Sequence, residues 1–86
     1  MTTREEVDAF VRNVLESDFS IDLSEHDLND ETNLYEELDL DSIDAVDIIV
    51  LVQKHFNISL TQEDFKDVRN YGGLLDVICR TIEAAS

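Results

Sequence analysis

The chain has 86 residues, 43% of them apolar, with 6 Lys or Arg against 21 Asp or Glu, a formal charge of −15. That length makes a single small domain, residues 1–86, with no room for a second core; the apolar share is too high for an acidic disordered tail. The charge argues against nucleic acid and anionic membrane, and for protein partners that present basic patches. Lys and Arg are absent from Asn13 to Gln53, where Asp and Glu crowd together, so self-repulsion opposes compaction. A lone Cys79 excludes an internal disulfide and fits a reducing compartment. There is no signal-peptide pattern, and the longest unbroken apolar run is Ile48 to Val52. The expectation is a cytoplasmic monomer that does not insert into membranes.

The opening "TTREEVDAFVRNVLES" predicts a first helix. Thr3 and Glu6 form a capping box, and Val7, Phe10, Val11, Val14 and Leu15 follow at helical spacing. From Asp18 to Asp41 the periodicity fades. Phe19, Ile21, Leu23, Leu28, Leu34, Leu38 and Leu40 can still pin that connection onto a core, and connections of this length are usually functional or hold a short helical turn.

"SIDAVDIIVLVQKHF" is rich in Ile and Val, which favours a strand on propensity. Spacing argues for a helix, because Asp44 and Asp47 would point to opposite faces of a strand but are neighbours on a helix. At about 100° per residue, Ile48, Ile49, Val52 and Phe56 fall on one stripe, assigned to the core. Ile43, Val46 and Val50 fall on a second stripe with Asp44 and Asp47 alongside, and Leu51 fits neither. A helix apolar on two sides either buries both or offers one to a partner, and so short a chain favours the second.

"TQEDFKDV" predicts a short helical turn capped by Thr61 with Asp64. A last helix starts near Tyr71, capped by Asn70, with Leu75, Ile78, Cys79 and Ile82 inward and Gly72 and Gly73 loosening its first turn. The fold class is all-α: a small four-helix bundle of three main helices and one short one. Cys79 on the inner stripe reads as a core residue.

The chemistry centres on Ser42. On its own, the pattern fits an N-cap, since Asp41 or Ser42 would serve and acids favour the positive helix end. A nucleophilic serine needs a base, and the spacing of His26 and His55 brings neither to Ser42; no Gly-x-Ser-x-Gly elbow exists. A calcium loop read from Asp39 places Asp39 and Asp41 at its first and third positions. It then needs Gly at Asp44 and a chelating Glu at Val50, so the alternative of an acidic calcium-binding module is remote, and no metal is expected.

The chain resembles an acyl carrier protein of the phosphopantetheine-binding carrier family. The resemblance rests on Asp41-Ser42-Ile43 at the start of the second helix, on the upstream "DETNLYEELDLDS", and on "AVDIIVLVQKHFNISL" and "DVRNYGGLLDVI" downstream. It covers nearly the whole chain. It implies a non-catalytic carrier rather than an enzyme, with 4′-phosphopantetheine attached covalently to Ser42 by a phosphopantetheinyl transferase. Acyl groups would be held on the arm's thiol as thioesters. Implied partners are the transferase, an acyltransferase, a ketosynthase and other acyl-processing enzymes with basic docking patches. Asp41, Ile43, Asp44, Val46, Asp47 and Val50 are the expected partner-recognition residues.

Three features depart from the family pattern. Asp39 and Asn57 stand where Gly is usual, Ile43 replaces the commoner Leu, and the second helix ends in Gln53, Lys54 and His55 where many fatty-acid carriers are acidic. They suit a specialised stand-alone carrier for polyketide, aryl-polyene or specialised lipid synthesis rather than the general fatty-acid carrier. A peptidyl or aryl carrier of a non-ribosomal pathway is the alternative.

Overall fold

The structure, a computed structural model, describes residues 4–23 and 28–85, and of Gln62 the main chain alone. Four helices are present among the described residues: α1 (Arg4–Ser17), α2 (Ser42–Phe56), α3 (Gln62–Phe65) and α4 (Tyr71–Ala85). The bundle of three long helices and one short one is as expected. α1 packs against α2 and α4, and α3 lies against α4.

Val7, Val11, Val14 and Leu15 form the buried stripe of α1, at the spacing that places side chains on one helix face. Thr3 of the expected capping box lies outside the described residues, as does His26. Phe10 and Phe56 are only half-buried. They close one end of the core with His55, whose ring stacks on Phe10 at 4.1 Å between centroids, while Phe56 meets Phe10 edge-on at 5.6 Å.

Helical spacing wins over β propensity in α2, where Ile48, Ile49 and Val52 are buried together. The helix ends at Asn57, whose left-handed conformation (φ 55°, ψ 51°) lets its N–H donate to the Gln53 carbonyl. The Gln53 side chain then accepts the Leu60 N–H at 2.7 Å. At the start of α3, the Thr61 N–H donates to the Asp64 carboxylate at 2.9 Å, as expected of that pair.

α4 begins where expected, with Asn70 Oδ1 accepting the Gly73 N–H at 2.9 Å. Leu75 and Ile78 are buried, with Tyr71 and Leu74 beside them; Cys79 and Ile82 are half-buried. Gly72 also has a packing role that its place in the first turn did not reveal. Its N–H donates to the Asp30 carbonyl at 2.9 Å, and a Cβ here would stand 2.7 Å from Asp30 Cβ. Glycine lets the long connection lie directly on the helix.

That connection is pinned as its leucines suggest: Leu28, Leu34, Leu38 and Leu40 are buried, and Phe19, Ile21 and Leu23 pack partly against the core. Its described polar groups bond both within the connection and to the start of α4. Buried Thr32 accepts the Asn29 N–H at 2.9 Å through its hydroxyl, and its carbonyl accepts the Tyr71 N–H at 2.9 Å. Asn33 Oδ1 accepts the N–H groups of Tyr35 and Glu36, each at 2.9 Å. Tyr71 ties three parts of the fold together. Its hydroxyl donates to the Asp8 carboxylate of α1. Arg12 donates to that same carboxylate at 2.8 Å and to the Leu28 carbonyl at 3.0 Å.

Candidate functional site

The buried side chains of Leu38 and Leu40 hold the end of the connection on the core, and Asp39 between them is exposed. Asp39 adopts φ 58°, the left-handed region that glycine enters most easily. This bend delivers the chain to the start of α2.

Asp41 is the N-cap, with extended backbone (φ −117°, ψ −177°). Its carboxylate accepts the Asp44 N–H at 2.9 Å, and the Asp44 carboxylate accepts the Asp41 N–H at 3.2 Å. This reciprocal capping box decides which of Asp41 and Ser42 caps the helix. Ser42 is therefore the first helical residue, with its side chain exposed. The N–H groups of Ser42 and Ile43 have no protein acceptor among the described residues. An exposed hydroxyl beside two unpaired helix N–H groups is a place where a phosphoryl group fits without displacing any protein contact.

The expected recognition residues lie along the same helix. Ile43 is 70% exposed and Val50 38%; Asp41 and Asp47 are exposed, and Asp44 and Val46 half-buried. Ile43, Asp47 and Val50 thus form an outward stripe opposite Ile48 and Val52. Asp41 and Asp44 have a second role that spacing alone did not separate, since each spends a carboxylate oxygen on the cap.

Three residues outside the expected set belong to this face. Asp18, Phe19 and Leu51 line an open groove of about 400 Å³ with Asp47 and Val50. The signal was Leu51, the residue that fitted neither stripe. On the inner side of α2, Leu34, Tyr35, Ala45, Ile48, Phe65 and Val68 help enclose an apolar cavity of about 10 Å³, the space of roughly one water.

Other chemistries find no support in the geometry. His55 stands thirteen residues from Ser42 on α2, about 20 Å along the axis, with its ring held against Phe10 and Phe56. Among the described residues, no group of three or more His, Cys, Asp or Glu could hold a metal ion. Burial pushes the Cys79 thiol up, away from the thiolate form that reactivity requires. No described helix is long and apolar enough to cross a membrane.

Residues 9–78 match the family described as phosphopantetheine attachment site. The chain belongs to the acyl carrier protein family. It is 36% identical over 76 residues to acyl carrier protein 2 of Ralstonia nicotianae, covering 88% of this chain and 91% of that protein. It is 32% identical over 56 residues to the acyl carrier protein of Buchnera aphidicola, covering 65% of this chain and 72% of that one. The crystal structure of an acyl carrier protein from Thermotoga maritima has the same fold, with a TM-score of 0.83 at 22% identity over 96% of this chain and 94% of that one. The carrier is a non-catalytic protein whose family holds acyl groups on covalent 4′-phosphopantetheine. The peptidyl-carrier alternative is not favoured.

Proposed function

We propose that Ser42 is the attachment residue of this carrier. The observation that carries the reading is the place of Ser42 as the exposed first residue of α2, held by the Asp41–Asp44 capping box. Ser42 Oγ supplies the oxygen of the phosphodiester. The N–H groups of Ser42 and Ile43 and the positive helix end favour the phosphoryl oxygens. The attached arm supplies a thiol that holds the acyl group as a thioester.

The remaining roles follow from the surface beside Ser42. Asp47, together with the free charge of Asp41 and Asp44, draws partners with basic patches, and Ile43, Val46 and Val50 seat them. Those partners are a phosphopantetheinyl transferase, an acyltransferase and a ketosynthase. The protein works as a single-domain, cytoplasmic monomer in specialised polyketide or lipid synthesis; its departures at Asp39, Ile43 and Gln53-Lys54-His55 support that choice over general fatty-acid synthesis.

Intact mass after incubation with coenzyme A, Mg²⁺ and a broad-specificity transferase tests the reading. The parent should gain one pantetheine unit and Ser42→Ala none. A mass gain in Ser42→Ala would move the attachment elsewhere.

A further inference from the structure

The last turn of α2 carries Gln53, Lys54 and His55, and two of the three are taken up by the fold. The Gln53 side chain accepts the Leu60 N–H at 2.7 Å, and the His55 ring lies against Phe10 and Phe56. Lys54 is left over. It is exposed and makes no ion pair or side-chain hydrogen bond among the described residues. No other Lys or Arg occurs between Arg12 and Lys66. Turning α2 in steps of about 100° places Ile43, Asp47, Val50 and Lys54 within about 60° of one another. The outward stripe that starts beside Ser42 therefore runs through a carboxylate and ends on a cation. A cation in the last turn also suits the negative helix end, but that role does not require the outward direction.

We propose that Lys54 is a specificity-determining residue: it pairs with a carboxylate on the acyl-processing enzyme that this carrier serves, and it repels enzymes that present a cation there. The proposal rests on Ser42 being the attachment residue and on the outward stripe of α2 being the docking face. Lys54 stands about 10 Å along the helix from Asp47 and about 18 Å from Ser42, within the span of an enzyme face of about 800 Å². Charge complementarity chooses the occupant. A face acidic throughout is repelled by a chain at −15. A face basic throughout meets Lys54 with like charge. A face that is basic opposite Asp47 and acidic opposite Lys54 meets neither penalty. A second copy of this chain offers carboxylates to Lys54 but brings another −15 with it.

The test uses the carrier with its arm attached, confirmed by intact mass. The probe is a malonyl transferase of general fatty-acid synthesis with a basic docking patch. Initial rates of malonyl transfer from malonyl-coenzyme A are compared for the parent, Lys54→Arg, Lys54→Met and Lys54→Glu. Arg80→Glu is the control for net charge, since Arg80 is exposed on α4 and makes no ion pair among the described residues. Lys54→Glu should raise kcat/KM about three- to tenfold, through KM, and Lys54→Met by less. Lys54→Arg should match the parent. The gains should fade at about 0.5 M salt. With each Lys and Arg of the probe's patch changed in turn to Glu, one exchange should speed the parent and slow Lys54→Glu. A role confined to the helix end would instead lower the unfolding temperature of Lys54→Met and Lys54→Glu with no gain in rate.

A Lys54→Glu rate no higher than that of Arg80→Glu would overturn the proposal. So would a full set of probe exchanges in which none reverses the order of parent and Lys54→Glu. A parent dimer in sedimentation that Lys54→Glu dissolves would overturn it too, because the carboxylate opposite Lys54 would then belong to a second copy. The attachment reading is scored first, by mass. If the parent gains the arm and only the Lys54 rates fail, Ser42 stands and the role of Lys54 falls. A parent that never gains the arm removes the Ser42 reading, and the Lys54 proposal with it.

Discussion

The Asp41 carboxylate accepts the Asp44 N–H at 2.9 Å while the Asp44 carboxylate accepts the Asp41 N–H at 3.2 Å, so two like charges together hold the turn that presents Ser42. Each pays part of their mutual repulsion back by sitting at the positive end of α2. Asp41→Ala should therefore cost about 0.5–2 kcal/mol in urea unfolding, and Asp41→Asn much less, because an amide oxygen can still cap. An Asp41→Ala protein as stable as the parent would mean that packing alone holds the turn. The same geometry warns against Asp44→Lys as a docking probe. It would remove a cap and invert a charge together, whereas Asp47 can be changed without touching the cap.

Two left-handed residues frame α2, Asp39 at φ 58° before it and Asn57 at φ 55° after it. Both stand where the family usually carries glycine. Asn and Asp tolerate this region better than other side chains, but still pay for their Cβ. Asp39→Gly and Asn57→Gly should each raise stability, by up to about 1 kcal/mol. Asn57→Val should lower it. A loss of stability in Asn57→Gly would show that its side chain earns more through other contacts than its backbone costs.

These two positions also show what sequence could and could not reveal. Asp39, which takes φ 58°, was marked in the sequence only as a position where the family usually carries glycine. The bounds of α2, Ser42 to Phe56, were legible from spacing despite its β-branched residues. The burial of Ile48, Ile49 and Val52 followed from the same stripe. What was not legible came from contacts between distant segments. Nothing near Gly72 in sequence announces that Asp30 packs onto it. Leu51 looked misplaced because its neighbours in the groove, Asp18 and Phe19, come from another part of the chain. Phe10 and Phe56 were assigned inward by period, but they meet His55 at the rim of the core. Periodicity gives a side chain's direction and not its depth.

Gly72 and Gly73 adjoin in sequence and differ in environment. A methyl at Gly72 would meet Asp30 Cβ at 2.7 Å and the Asp30 carbonyl oxygen at 3.0 Å, where backbone must move. At Gly73 the nearest atom is the Asn70 side-chain oxygen at 3.0 Å, which can give a little. Gly72→Ala should lose about 1–3 kcal/mol. Gly73→Ala should stay within about 1 kcal/mol of the parent, since helix propensity gains offset the crowding. Thermal unfolding of the pair checks the difference, and equal effects would mean that the Asp30 contact is easily relieved.

Burial first, and the bond to Asp8 second, push the Tyr71 hydroxyl well above the ordinary phenol range. Folding therefore favours the neutral phenol. That contribution is complete below the unfolded value of about 10 and is lost as pH rises above it. Stability should fall through the alkaline range in the parent, and Tyr71→Phe should remove part of that fall. At neutral pH the same variant should lose about 1 kcal/mol with the hydrogen bond, because Arg12 still pairs with Asp8. Identical alkaline profiles for parent and variant would show that other groups set the alkaline limit.

Val52 and Val50 are two positions apart on α2 and differ in burial, at 0% and 38% exposure. If one stripe is core and the other a seat for partners, truncation should separate stability from docking. Val52→Ala opens a gap among fully buried side chains and should cost about 2–4 kcal/mol. Val50→Ala should cost under about 1 kcal/mol. In transferase kinetics the order should reverse. Val50→Ala removes apolar contact that a bound enzyme covers, so it should raise KM and act chiefly on dissociation. Val52→Ala, assayed where it remains folded, should leave KM near the parent value, since its side chain never meets the enzyme. Equal large losses of stability at both positions would mean that α2 is buried on two sides. Partners would then have to dock on some other face, and Ile43 and Asp47 would lose their assigned roles as well.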